Sequence, residues 1–383
     1  MPVFKHGVTS TQTSSGTRPI RTTRADVIGM VCTADDADGA LFPLNKAVLI
    51  NSQSALGKAG TTGTLRNSLD AIFDQIVPYV IVVRVAEDVD PAIQQSNIIG
   101  GVLLNGDRTG IQALLGSKAK FGFKPRILGV PEFSAQAITS ELVIIADKLK
   151  GFAYAEAVGD AKEDAVLYRA NFGSKRLMLI WSKWLGLDGG NNETTIDPIS
   201  RALGMRAKID DLIGWHKTIS NIEVNGVLGI EKDIYFDLQE SATDANYLNE
   251  NEVTTMIKQD GFRYWGNRTC SNDPHYAFEV ATRTGDILED TIAEAHFFYI
   301  DLPLSKQLIK EIVESINAKF RAMKAEGKIV NASAWIDPDL NTVENLEQGK
   351  LYIKYDFTPF PPLENPNFTQ IITNTYLSEL VEG

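Results

Sequence analysis

Hydrophobic residues recur along this 383-residue chain in two alternating patterns, which predict helices and buried strands. Between Leu65 and Val77, apolar residues return at every third or fourth position, as on one buried helix face. The run from Val80 to Val85 is β-branched and nearly continuous, which is typical of a strand covered on both sides. The alternation continues with strands at 127–130, 152–158 and 176–181 and helices at 137–149, 198–213 and 282–299. Strands that alternate with helices indicate βαβ units, so we predict an outer α/β domain.

A different order of elements begins near Asp301. One strongly periodic helix is predicted from Ser305 to Glu326, and strand-like segments follow at 329–336 and 351–358. A helix followed by strands suggests a separate α+β domain. We therefore predict four parts: an N-terminal arm (1–25), the outer α/β domain (26–300), a C-terminal α+β domain (301–364) and a C-terminal arm (365–383).

The two arms differ in charge and share a preference for extended structure. Residues 1–25 contain four Lys and Arg residues, among them Arg18 and Arg21, and no acid, whereas residues 361–383 contain three glutamates and no base. A terminal strand has to pair with a sheet edge, either in its own chain or in a neighbouring subunit. Both alternatives stay open from the residues alone. The side chains predicted to hold an exchanged arm are Val8, Arg18, Arg21, Phe368, Ile371, Ile372, Tyr376 and Leu377.

The helix predicted at 305–326 has a second distinctive face beside its apolar one. At about 100° per residue, the apolar residues from Ile309 to Met323 share one side of the helix. A neighbouring arc of roughly 60° contains Lys306, Lys310, Asn317, Arg321 and Lys324. Because Glu311 and Glu314 fall outside this arc, we predict that its four cations bind an acidic partner. The alternative is an ordinary solvated face.

The net charge, the lack of long apolar segments and the positions of the cysteines exclude several classes of partner and site. The formal net charge of −12 argues against nucleic acid or an anionic membrane surface as a partner. Residues 1–24 lack the apolar segment of a secretory signal, and the longest apolar stretch is too short to cross a bilayer, so we expect a cytoplasmic protein. The two cysteines, Cys32 and Cys270, have neither disulfide nor zinc spacing and are expected to be buried.

We find no arrangement of residues that predicts catalysis, a metal or a cofactor. The four histidines lack metal-ligand spacing, and Cys270, Asp273 and His275 lie too close together for a usual triad. The glycines at 57–63 are in the wrong order for a phosphate loop. A cytoplasmic α/β hydrolase-like or nucleotide-binding enzyme is the alternative, and it would need a pocket of convergent polar groups near His216 or His275.

Several stretches carry a family resemblance that covers nearly the whole chain. They are Ile28-Gly-Met-Val-Cys-Thr-Ala34, Phe42-Pro-Leu-Asn45, Lys124-Pro-Arg-Ile-Leu-Gly-Val-Pro131, Gly214-Trp-His-Lys-Thr218, Asp260-Gly-Phe-Arg-Tyr-Trp-Gly-Asn-Arg-Thr-Cys270 and Pro361-Pro-Leu-Glu-Asn365. Together they resemble the tail sheath proteins of P2-like contractile-tailed bacteriophages and of the related R-type bacteriocins. The combination of the last two motifs is the most specific part of the resemblance.

The resemblance implies a building block without enzymatic activity. Sheath subunits stack as hexameric rings, arranged helically around a tail tube, and contract to drive the tube through the bacterial envelope during genome ejection. Its implied partners are other copies of the chain, the tube protein, and the baseplate and tail terminator proteins. The family exchanges terminal strands between subunits and grips the tube with a helix like that at 305–326. The implied location is the virion tail, after assembly in the host cytoplasm; the same role in a capsid-free R-type bacteriocin is an alternative.

Overall fold

The computed structural model describes residues 20–187 and 192–380, and its core in this part of the chain is a layered α/β sandwich. The first eleven strands are β1 (Ile28–Thr33), β2 (Ala47–Ile50), β3 (Val80–Val85), β4 (Ile127–Gly129), β5 (Phe152–Glu156), β6 (Leu177–Ile180), β7 (Trp184–Leu187), β8 (Glu193–Ile196), β9 (Gly229–Ile230), β10 (Val253–Lys258) and β11 (Phe262–Trp265). Among the described residues, eight of them form one sheet in the order β11-β10-β6-β5-β4-β1-β3-β2. Its six inner strands are parallel, and β11 and β2 are the antiparallel strands at its edges. Strands β8, β7 and β9 form a small second sheet.

Helices cover both faces of the large sheet. They are α1 (Leu65–Phe73), α2 (Pro91–Ile99), α3 (Ser117–Phe121), α4 (Gln136–Leu149), α5 (Lys162–Arg169), α6 (Pro198–Leu212), α7 (Asp244–Glu250) and α8 (Glu279–His296). Helices α1 and α6 pack on one face through residues such as Leu69 and Leu203, and α4 packs on the other through Leu142. The predicted α/β architecture is confirmed, and the elements named above exist with shifted ends. We refer to this part, from β1 to α7 with β10 and β11, as the sheet domain.

A smaller structure follows α8. It consists of α9 (Lys306–Ala325), β12 (Asn331–Ile336), α10 (Val343–Glu347) and β13 (Ile353–Thr358), and we call it the C-terminal unit. Strands β12 and β13 form an antiparallel pair that lies on α9. Its core contains Phe320, Ile316 and Met323 of α9 but also Ile287 and Leu288 of α8. This core therefore draws on residues from both sides of position 301, and the domain boundaries stay a prediction.

Helix α8 joins the two parts and presents a different face to each. Towards the sheet domain it carries acidic and basic residues at helical spacing, which pair with buried charges of α6 and the strands. We call these eight side chains the α8 ionic seam: Glu279, Arg283, Asp286 and Asp290 of α8, with Arg126, Arg176, Arg206 and Asp210. Four positive charges face four negative ones, so the seam is balanced.

The pairs of this seam are closely spaced and largely removed from water. Arg206 lies 2.8 Å from Asp210 (Nη2 to Oδ1) and 3.3 Å from Glu279 (Nη1 to Oε1). Arg176 donates to Asp286, with 2.8 Å between Nη2 and Oδ1, and burial raises the pKa of that carboxyl against the opposing effect of the arginine. Burial also lowers the pKa of Arg126 to about 10. These pairs tie α8 to the sheet domain, and removal of one partner would leave a buried charge uncompensated.

Candidate assembly surface

Helix α9 is built as the sequence predicts and has one buried and one charged face. The Ser305 hydroxyl accepts from Leu308 N–H at 3.1 Å, which caps the start of the helix. The chain leaves the helix at Gly327, whose φ of 70° suits glycine. Ile312, Ile316, Phe320 and Met323 are buried. This packing fixes which side of α9 remains exposed.

All four predicted tube-binding cations are exposed, and they form two pairs. Lys306 and Lys310 lie at the start of α9, and Arg321 and Lys324 lie near its end. The two pairs are about 16 Å apart, since eleven residues separate Lys310 from Arg321 and each adds about 1.5 Å. Lys324 Nζ lies 3.3 Å from Asn331 Oδ1. We call these four residues the α9 stripe, and its role in binding a tube stays a prediction.

Asn317, which belongs to the same arc, serves the fold instead. Its side-chain amide donates to the Ala334 carbonyl (2.8 Å) and accepts from the Ala334 N–H (2.9 Å). This occupies the outer edge of β12 at its centre, much as a neighbouring strand would. The other edge of the pair differs: β13 has β12 on one side, and within the described residues no strand pairs with its far side. The open edge of this sheet is therefore that of β13.

The C-terminal arm leaves the fold after one firm anchor. Arg268 holds Glu364 through two contacts, 2.7 Å from Nη2 to Oε2 and 3.2 Å from Nε to Oε1. This bidentate pair joins the two most specific sequence motifs, a contact that spacing alone did not reveal. Beyond it the anchors predicted for arm exchange are exposed. Their exposed fractions are 91% for Phe368, 78% for Ile371, 95% for Ile372, 67% for Tyr376 and 60% for Leu377.

The C-terminal arm, whose residues favour extended structure, is not extended throughout in the isolated chain. Residues Thr375–Leu380 form a short 3-10 helix, so Tyr376 and Leu377 are helical in this chain. The turn begins with Leu377 N–H bonded to the Asn374 carbonyl, and Thr373 Oγ1 accepts from Thr375 N–H. Asn and Thr favour such local bonds over a strand that has no partner. Within this chain, residues 365–380 join no sheet.

The N-terminal end is anchored a few residues before the sheet domain. Thr23 N–H lies 3.3 Å from Thr291 Oγ1 of α8, and the Thr23 hydroxyl donates to Glu294 at 3.0 Å. The Arg24 guanidinium lies 4.2 Å from the centre of the Tyr79 ring. Arg21 is exposed. Val8 and Arg18 lie outside the described residues.

The residues considered for the enzyme alternative do not come together as a nucleophile and base. Cys270 is fully buried, and burial raises the pKa of its thiol to about 12, so it is protonated at neutral pH. His275 is highly exposed and bonds Asp273 locally, with 3.0 Å between Nδ1 and Oδ1. Burial lowers the pKa of His216. In residues 20–187 and 192–380 no group of His, Cys, Asp and Glu could hold a metal ion, and no helix is both long and apolar enough for a membrane span.

Comparison with known proteins gives consistent matches along the chain. Three family profiles match: the tail sheath protein Gp18 domain III N-terminal region at 27–85, the phage tail sheath protein central domain at 106–270, and the phage tail sheath C-terminal domain at 271–373. The tail sheath protein of Escherichia phage P2 is 49% identical, with 100% of this chain and 98% of that protein covered. The major tail sheath protein of Serratia phage KSP20 is 45% identical, with 97% and 96% covered.

Solved structures show the same fold at low sequence identity. The contracted helical sheath of the anti-feeding prophage superimposes with a TM-score of 0.74 at 18% identity, covering 95% of this chain and 98% of that one. The contracted sheath of an extracellular contractile injection system gives 0.70 at 16% identity, covering 97% and 99%. The identity with the phage sheaths and the matching profiles establish the family, and the structures confirm the predicted fold. The chain therefore belongs to the phage tail sheath protein family, as a structural subunit of a contractile tail sheath.

Proposed function

We propose that copies of this chain form hexameric rings stacked helically around a tail tube, and that contraction of this lattice drives the tube through a bacterial envelope. The observation that carries the proposal is that the C-terminal unit has an unpaired strand edge and exposed apolar side chains. Within residues 20–187 and 192–380 it has an open β13 edge, and the arm beyond Glu364 exposes large apolar side chains that no described segment covers. In our proposal a neighbouring copy supplies a strand for the β13 edge and an apolar surface that covers the arm.

In this proposal the arms link subunits by strand addition. Residues of the C-terminal arm from one copy pair with the β13 edge of another, because Asn317 already occupies the β12 edge. Backbone hydrogen bonds alone do not repay the ordering of a flexible arm, so apolar anchors such as Phe368, Ile371 and Ile372 have to be buried as well. The basic N-terminal arm, with Arg18 and Arg21, closes the same mesh.

The α9 stripe in turn faces an acidic tube surface. Each exposed ion pair contributes only about 0.2–1 kcal/mol, but hundreds of parallel contacts hold a sheath on its tube and still break one at a time. The subunit acts without catalysis, and its further partners are the baseplate and tail terminator proteins. Assembly takes place in the host cytoplasm, and the product is the virion tail.

The test of tube binding is a fourfold charge reversal of the stripe. The variant with Lys306, Lys310, Arg321 and Lys324 changed to Glu is mixed with purified tubes at several salt concentrations, and sheathed tubes are counted by electron microscopy. A matched control reverses four exposed cations on other surfaces: Arg66, Lys148, Lys258 and Lys350. Both variants have the same net charge. We expect the stripe variant to lose sheathing and the control to keep it; normal sheathing by both would mean that α9 does not grip the tube.

A further inference from the structure

An apolar groove lies between the first half of α9 and α10. It has a volume of about 740 Å³, and its walls also include the end of β12. We call it the α9–α10 groove; the apolar side chains that line it are Leu304, Ile309, Val313, Ile336, Val343 and Leu346. Lys306 and Lys310 lie at its margin together with Glu314 and Glu347. Three of the apolar residues, Leu304, Ile336 and Val343, are more than 40% exposed, so the groove is open to solvent in the isolated chain.

The C-terminal arm carries an apolar element of matching size. In the 3-10 helix Thr375–Leu380, Leu377 and Leu380 are three residues apart and share one face. Leu380 is 79% exposed, so no described part of its own chain covers this face. The arm contains acids and no bases, while Lys306 and Lys310 stand beside the groove.

The arm leaves the fold at the end of the β12–β13 pair that is remote from the chain's own groove. In the β12–β13 pair, Thr358 lies opposite Asn331 and Ile353 lies opposite Ile336. The arm therefore departs from the end of the pair that lies about 17 Å from the groove, counting about 3.4 Å for each of five residues. The Arg268–Glu364 pair then holds the chain near the start of α8. In this conformation Leu377 and Leu380 of the chain's own arm are 60% and 79% exposed, so they do not fill the chain's own groove.

We propose that the α9–α10 groove binds the short helix Thr375–Leu380 of a second copy of this chain, with Leu377 and Leu380 inserted between the two helices. This inference rests on the proposed arm exchange and adds the place where the arm ends. The extended part, 366–373, runs antiparallel along β13 towards Ile353, and the helix then passes over that end of the pair into the groove.

Cysteine cross-linking of the full-length chain tests this placement. Two single variants, Leu377→Cys and Val343→Cys, are purified, mixed and assembled, and disulfides are then formed with a mild oxidant. Val343 is 72% exposed, so its substitution spares the core. The native Cys32 and Cys270 do not compete, because both are buried and burial raises the pKa of each thiol to about 12. The control replaces Val343→Cys with Lys324→Cys, at the far end of α9.

The expected result is a disulfide-linked pair of the two variants in assembled material, and much less of it with the Lys324→Cys control. Equal yields with both partners, or no cross-link in assembled sheath, would overturn the placement. A further experiment uses one chain that carries both Leu377→Cys and Val343→Cys. A disulfide formed within such single chains at high dilution would also overturn the placement, because the arm would then fill the groove of its own chain. Failure of the arm exchange itself is recognised separately: a chain that lacks 365–383 would then still assemble.

Discussion

The sheet domain and the C-terminal unit differ in how much of their apolar surface is exposed to solvent. In the sheet domain the parallel strands are buried on both faces, as β1, β3 and β4 illustrate with every residue covered. In the C-terminal unit only one face of the β12–β13 pair is packed, while Trp335, Val343 and the arm anchors are exposed. The first part covers its apolar surface within the chain, whereas the second leaves apolar surface exposed that, in our proposal, other copies cover.

The largest expected effect comes from removing the C-terminal arm. Deletion of 365–383 removes Phe368, Ile371 and Ile372, which are exposed and contribute little to the fold of their own chain. We expect a folded protein with nearly unchanged thermal stability that no longer polymerises, measured by circular dichroism and electron microscopy. Deletion of 1–22, which spares the Thr23 contacts with α8, should behave in the same way. Tubes of normal length from either truncated chain would contradict strand exchange.

The next effect concerns the α8 ionic seam between the two parts. Arg206→Met removes one of the two arginines that contact Asp210 and Glu279. A single arginine, Arg283, is then left for two buried carboxylates, so the free energy of unfolding should fall by about 3–5 kcal/mol. The matched control is Lys118→Met, which removes the solvent-exposed pair with Glu294 further along α8 and should cost at most about 1 kcal/mol. Denaturant titration measures both. Equal losses would show that burial does not distinguish the two ends of the helix.

A smaller change in the free energy of unfolding is expected at Glu156, a partly buried glutamate at the end of β5 in the sheet domain. Burial raises the pKa of Glu156 to about 7, with Lys183 opposing this and Asp197, Glu231 and Glu132 adding to it. Because the folded pKa lies above the unfolded one, the charged form destabilises the fold above about pH 7, and this cost disappears as pH falls to about 4.5. Glu156→Gln should therefore stabilise by up to about 3 kcal/mol at pH 8 and change little at pH 4.5. Unfolding titrations at the two pH values test this, and a pH-independent difference would contradict the shift.

The smallest effect is that of a single stripe residue. Lys310→Ala removes one exposed charge, which is worth at most about 1 kcal/mol per subunit. We expect an unchanged free energy of unfolding and only a slight loss of sheathing, visible as release from the tube at a slightly lower salt concentration, because the small deficit is summed along the stack. Complete loss of sheathing from this one substitution would assign Lys310 a specific role that a summed electrostatic contact does not explain.

Elements with strong local patterns could be predicted from the sequence, whereas contacts between distant segments could not. Two examples are the buried strand at 80–85 and the helix at 305–326. Both could be predicted because a continuous apolar run is typical of a buried strand and a repeat of three to four residues is typical of a helix. The stripe on α9 followed from the same period. The helical period also places Asn317 in that arc. Its bonds to Ala334 could not be predicted, because they depend on how β12 packs against the helix.

The α8 ionic seam shows the same limit. Glu279, Arg283, Asp286 and Asp290 have helical spacing, but a charged helical face usually indicates solvent, and their partners Arg126, Arg176 and Arg206 are far away in sequence. The end of the arm shows a related limit. Strand propensity at 368–377 describes what the arm can do with a partner, and the isolated chain at 375–380 turns into a short helix instead.

The most direct test of the account is electron microscopy of the purified full-length chain in negative stain over a range of concentrations. A sheath subunit with an unfinished C-terminal unit should polymerise into long, hollow, regularly striated cylinders once the concentration is high enough for arms to find their neighbours. The account predicts such cylinders for the full-length protein. A folded protein that stays monomeric at every concentration, with and without tail tubes, would contradict it.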